Sequence, residues 1–146
     1  MLERGEPIIV EQSFNRPIGD VWRAITEINR MHQWYFDNIP SFQAVPGFKT
    51  QFSIINEGRS FLHMWEIKEV EPFKRISYSW KFQEYPGEGL VIFELSEQNG
   101  STILKLTNLG LETFPDNIPE FKRESCIGGW QYFIQHKLKE YLESIK

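Results

Sequence analysis

The chain has a single cysteine, Cys126, among its 146 residues. One thiol cannot build an internal disulfide framework. It fits a reducing, cytoplasmic compartment, where a free cysteine usually behaves as a small buried apolar residue. Basic charge is also scarce: 16 Lys and Arg stand against 20 Asp and Glu, for a net charge of −4. The compact basic pairs, Lys74-Arg75 and Lys122-Arg123, sit beside acids. No basic stripe of the kind that tracks a phosphate backbone is present, so nucleic acid is excluded as a partner. No apolar run approaches the ~20 residues that span a bilayer. The opening segment Met1-Leu2-Glu3-Arg4-Gly5-Glu6 lacks the apolar core of a signal peptide. No Gly-rich phosphate loop, CxxC, HExxH or nucleophile elbow occurs. His32, His63 and His136 lie far apart without metal-ligand spacing. Nothing in the sequence places a base beside Cys126. We therefore expect no metal, no cofactor and no catalytic residue.

What the chain does have is rings: 12 Phe, 5 Trp and 5 Tyr. Aromatic side chains fill wide interiors and also line apolar pockets. The length fits one domain, residues 1–146.

The spacing predicts a first strand over Ile8–Phe14, stopped by Asn15-Arg16-Pro17. Val21, Trp22, Ile25 and Ile28 recur at helical spacing and predict a helix near Ile18 to Ile28. A second short helix or turn is expected over Met31 to Tyr35. Asp37 to Gly47 reads as a loop with a short strand around Phe42-Gln43-Ala44. Further strands are predicted over Lys49–Asn56, Phe61–Glu71, Lys74–Gln83, Leu90–Ser96 and Thr102–Leu109. Turns are expected at Asn56-Glu57-Gly58-Arg59, at Tyr85-Pro86-Gly87-Glu88-Gly89 and at Gln98-Asn99-Gly100-Ser101. The last holds Asn-Gly, the residue pair of a type I′ hairpin. After a loop from Gly110 to Pro119, a long helix runs from Glu124 to Ile145. Its apolar stripe is Ile127, Trp130, Phe133, Ile134, Leu138, Tyr141, Leu142 and Ile145. His136 falls off that stripe. Consecutive strands joined by tight turns are antiparallel. The order therefore describes an α+β domain: a curved antiparallel sheet of about six or seven strands wrapped around a long C-terminal helix, with two short helices after the first strand.

Several segments resemble one family. Phe14-Asn15-Arg16-Pro17-Ile18-Gly19-Asp20-Val21-Trp22-Arg23-Ala24-Ile25-Thr26 is similar to its opening, where a strand enters a helix. Trp65 to Pro72, Arg75 to Trp80, Val91 to Leu95 and Gly129-Trp130 follow in the family's order. In these segments, which run over nearly the whole chain, the protein resembles the AHSA1-like group, named after the activator of the Hsp90 ATPase, within the START/Bet v 1-like (SRPBCC) superfamily of helix-grip folds. There is one departure. Leu106-Thr107-Asn108-Leu109-Gly110 carries asparagine where many relatives have histidine. The resemblance implies a helix-grip fold and a mixed set of roles, among them co-chaperone domains and hydrophobic-ligand carriers.

Strand and helix phase place the candidate ligand-binding residues Phe52, Trp65, Tyr78, Trp80, Phe93, Asn108, Trp130 and Phe133 around a hollow between sheet and helix. The leading expectation is binding of a hydrophobic, lipid-like or aromatic small molecule, without catalysis. A protein partner, in a co-chaperone-like module, is the alternative; a cyclase- or hydrolase-like enzyme using a pocket carboxylate is the third. Asn108 is expected to orient a ligand or to bond nearby backbone, since it cannot relay a proton. Glu66 is expected on the outer, solvated face. Trp34-Tyr35-Phe36 cannot all point inward from one short helix, so part of that run is expected at a pocket mouth or a partner surface. Gly128 and Gly129 are expected to allow close approach of another backbone.

Overall fold

A computed structural model describes residues 5–145. The Met1–Arg4 part of the opening segment lies outside the described residues. The elements are β1 (Ile8–Phe14), α1 (Ile18–Thr26), α2 (Ile28–Trp34), β2 (Lys49–Asn56), β3 (Arg59–Glu71), β4 (Arg75–Phe82), β5 (Tyr85–Gln98) and β6 (Ser101–Leu109). Two 3₁₀ turns follow, Leu111–Thr113 and Pro119–Phe121. The C-terminal helix is continuous through three segments: α3 (Arg123–Trp130), a π-helical stretch (Gln131–Leu138) and α4 (Lys139–Ser144).

The six strands form one antiparallel sheet in the order β1-β6-β5-β4-β3-β2. The tight hairpins explain this order. Glu57-Gly58 and Asn99-Gly100 take positive φ at both central positions, 52° and 78° and then 53° and 83°. That conformation matches the right-handed twist of the paired strands. No strand forms at Phe42-Gln43-Ala44. Phe42 instead plugs the core with its ring edge against Trp65 and Tyr78. The β4–β5 turn lies at Gln83-Glu84, earlier than Pro86-Gly87 implied. Pro86 and Gly87 fall within the start of β5, next to a register shift between Trp80 and Phe82. Bulges of this kind re-aim side chains.

The C-terminal helix crosses the concave face. Trp130, Ile134, Leu138 and Leu142 are its buried residues. They are spaced by four, so on a regular α-helix each step overshoots a full turn by about 40°. The wider π-helical turn offsets that drift and keeps all four facing the sheet. α1 buries Val21, Trp22, Ala24 and Ile25, and α2 packs against the π-helical stretch. Arg16 closes the far end. Its Nε donates to the Leu142 carbonyl at 2.8 Å and its second nitrogen donates to the Ile145 carbonyl, satisfying acceptors that a helix end leaves open.

Trp34 and Tyr35 pack into the core, while Phe36 is half-buried on the wall of the cavity described below, so the run reaches a pocket rather than a partner surface. Trp34 and Tyr35 are 1% and 8% exposed, and Phe36 packs against the core. The backbone explains it. α2 stops at Trp34, and Tyr35 leaves the helix at φ −112°, ψ −140°. The three side chains therefore start from different backbone directions. Trp34 Nε1 donates to the Ala24 carbonyl at 2.8 Å. The Tyr35 hydroxyl meets the Tyr78 hydroxyl at 2.9 Å in the buried core. Burial pushes both phenols well above their ordinary pKa, so the pair is held neutral.

Candidate functional site

A cavity of about 220 Å³ lies between the sheet and the first turns of the C-terminal helix. Its floor is built by alternation. Phe61 and His63 of β3 and Trp80 and Phe82 of β4 share the concave face, because side chains two apart on a strand point the same way. The roof is Cys126, Gly129, Trp130 and Phe133 of the helix. The 3₁₀ turns supply Leu111, Phe114, Glu120 and Phe121. Gly110 lets the chain turn off β6 here. It has φ 87°, and a side chain would sit 2.5 Å from the Glu88 carbonyl. Thr113 then fastens the turn to β5: its hydroxyl accepts from the Glu88 N–H at 2.9 Å.

Trp80, Asn108, Trp130 and Phe133, four of the residues picked from the sequence, stand on the cavity wall. Phe52, Trp65, Tyr78 and Phe93 do not line it. They form the filled ring cluster beside it, with Trp65 4.9 Å from Phe52, 4.8 Å from Tyr78 and 5.0 Å from Trp80. Tyr78 in turn stacks on Phe93 at 5.9 Å. The alternation that picked these residues identifies the inward face. It does not tell which part of that face the helix covers closely.

Asn108 acts within the protein. Its Oδ1 accepts from Trp130 Nε1 at 3.2 Å, and its Nδ2 donates to the Leu109 carbonyl at 3.3 Å. It thereby fixes the indole that forms part of the roof. One acceptor oxygen is enough for this contact, and the asparagine amide supplies it. Gly128 and Gly129 approach no other backbone, which corrects the expectation; a Cβ at either position would meet open space. Gly129 is on the wall, so its missing side chain leaves cavity volume.

Residues not picked from the sequence complete the site. His63 is 7% exposed, and burial lowers its pKa to about 4. The ring is therefore neutral near pH 7. Its phase with Phe61 and Trp65 was a usable signal. Phe114 and Phe121 sit in a segment without period, and no signal marked them. At the rim, Arg59 donates from Nε and a terminal nitrogen to the two Glu120 oxygens at 2.9 and 2.8 Å. Asn56 Nδ2 donates to the same carboxylate at 2.6 Å. The Arg59 hydrogen bonds hold the Glu120 carboxyl below its usual range. Glu66 lies on the outer face beside Lys68 at 3.6 Å. Among the described residues, no group of three or more His, Cys, Asp or Glu could hold a metal ion, and no helix is long and apolar enough to cross a membrane.

Solved structures share this architecture. Protein CV1439 from Chromobacterium violaceum superposes with a TM-score of 0.79 at 21% identity, covering 95% of this chain and 98% of its own. Protein Mll3558 from Rhizobium loti gives 0.80 at 17% identity, covering 93% and 96%. The Aha1 dimer from Colwellia psychrerythraea gives 0.74 at 18% identity, covering 95% and 97%. These likenesses establish the fold. None of the curated proteins matches the chain significantly. The sequence profile described as activator of Hsp90 ATPase homolog 1-like protein matches residues 15–143, and with the helix, sheet and turn order above, the chain belongs to the AHSA1 family.

Proposed function

We propose that the protein binds a small hydrophobic molecule in the cavity between the sheet and the C-terminal helix. The observation that carries this reading is the cavity itself: about 220 Å³ walled mainly by aromatic rings beside the buried core. A 150 Å³ apolar cavity holds benzene, so this one suits a molecule of one or two rings. Burying about 250 Å² of such a ligand at 25 cal/mol per Å² contributes about 6 kcal/mol before the cost of immobilising it, so the expected Kd is tens of micromolar at the tightest.

The family also contains Aha1-like modules, and the fold suits either role. The ring run that favoured a protein partner forms no exposed patch, because Trp34 and Tyr35 are buried and Phe36 lines the cavity. The large exposed apolar residues Ile9, Val45, Ile55, Phe73 and Tyr132 are spread over five separate segments. The carboxylate chemistry of an enzyme is not supported either. Glu66 faces outward, and Glu120, the one carboxylate on the wall among the described residues, is held ionised by Arg59. A general acid needs its pKa moved the other way.

Titration with 2-methylnaphthalene, followed through tryptophan fluorescence, tests the reading. Saturable binding of one equivalent is expected, and Gly129→Leu, which fills the cavity from the helix, should abolish it. Absence of binding to the wild type, or undiminished binding to the variant, would refute the assignment.

A further inference from the structure

We propose that the cavity selects a neutral aromatic hydroxyl compound, a phenol-type ligand whose O–H donates to Nε2 of His63. This deepens the binding reading above and rests on it. The argument begins with the tautomer. His63 Nδ1 lies 3.0 Å from the carbonyl oxygen of Phe61. A carbonyl only accepts, so in the neutral ring the proton sits on Nδ1 and Nε2 keeps its lone pair. The ring cannot readily turn to exchange the two nitrogens. It stacks on Phe52 at 4.9 Å and 17°, and meets Phe82 at 4.8 Å and Trp80 at 5.5 Å.

Nε2 has no hydrogen-bond partner among the described residues, although His63 is buried and on the cavity wall. The other polar side chains of that wall are engaged within the protein. Asn108 holds Trp130, Asn56 and Arg59 hold Glu120, and the Cys126 thiol lies 3.7 Å from the Glu120 carbonyl. Nε2 is not sealed off from the cavity, so a ligand donor placed against it gains a hydrogen bond that no protein group makes. The aromatic surroundings supply the remaining contacts.

Charge decides the rest. An anionic ligand would face the Glu120 carboxylate and an uncharged imidazole, while the Arg59 guanidinium is already bidentate on Glu120. A cationic ligand would have to displace Arg59 to find a counter-charge. A neutral donor meets neither penalty.

The test compares the isosteric pair 2-naphthol and 2-methylnaphthalene with the slightly larger anion 2-naphthoate, on the wild type and on His63→Phe. In the wild type 2-naphthol should bind about tenfold tighter than 2-methylnaphthalene, although the methyl compound is the more hydrophobic, and 2-naphthoate should bind weakest. His63→Phe should close the gap between naphthol and methylnaphthalene. A second measurement needs no variant: the ¹⁵N resonance of His63 Nε2 in the wild type should move on adding 2-naphthol and stay in place with 2-methylnaphthalene. Equal affinity for those two probes, tightest binding of 2-naphthoate, or an unmoved Nε2 resonance would overturn the inference while leaving the cavity as an apolar site. Failure of all three probes to bind would overturn both.

Discussion

Lowering the pH should destabilise this protein through His63 before most carboxylates titrate. In the fold the His63 pKa is about 4, mainly because burial disfavours the imidazolium; the Phe61 carbonyl and the Glu84 charge offset part of that effect. In the unfolded chain it returns to about 6.5. The unfolded state therefore takes up a proton that the folded state refuses. The stabilising contribution is fully present above pH 6.5 and is lost as pH falls through 6.5 towards 4. Integration of the two titrations gives a loss of about 2 kcal/mol between pH 7 and pH 5, and about 3 kcal/mol once pH 4 is passed. Domains of this size have stabilities on the order of 5–15 kcal/mol, so the change is measurable. Urea unfolding at pH 7 and pH 5, followed by tryptophan fluorescence, gives the two free energies. His63→Phe keeps an aromatic ring among Phe52, Phe82 and Trp80 and removes the titrating group. Its pH 7 to pH 5 loss should be smaller than that of the wild type by about 2 kcal/mol. Equal losses in the two proteins would show that His63 is solvated, and the burial argument would fail.

Three further outcomes are expected. Gly129→Ala should raise stability by up to about 1 kcal/mol, because alanine is the better helix former and its Cβ has open space; it should also weaken 2-methylnaphthalene, whereas Gly128→Ala, off the cavity wall, should stabilise without touching binding. Tyr35→Phe should cost about 1–3 kcal/mol by leaving the buried Tyr78 hydroxyl unpaired, and adding Tyr78→Phe should recover part of it; strictly additive losses in a double-mutant cycle would mean the two hydroxyls do not interact. Glu120→Gln should leave the urea midpoint almost unchanged, since the Arg59 pair is partly exposed, yet it should speed association of 2-methylnaphthalene in stopped-flow if the ion pair restrains the rim; unchanged association would remove that role.

Much of the fold was legible in the chain because the signals were local. Period-two alternation over Ile76, Tyr78, Trp80 and Phe82 marked β4 and its inner face. Asn99-Gly100 marked a hairpin through the φ angles it favours, and the stripe from Trp130 to Leu142 marked the last helix. Errors arose where the local signal was ambiguous. Pro86-Gly87 looks like a turn but opens β5 beside a bulge. Two successive glycines look like a packing contact but face open space.

The sequence by itself determined the α+β class, the antiparallel pairing of neighbouring strands and the inward faces, because strand and helix periods and turn chemistry act within a few residues; its segment-by-segment likeness pointed to the family. Only the tertiary structure decided which inward rings are core and which border a void. Phe52, Trp65, Tyr78 and Phe93 interlock, while Trp80, Trp130 and Phe133 are left facing space. That division depends on where a helix starting at Arg123 meets a sheet curved around it, and on Phe114 and Phe121 arriving from turns without period. It also set the tautomer of His63, through a carbonyl two residues away that only the strand's geometry brings within 3.0 Å.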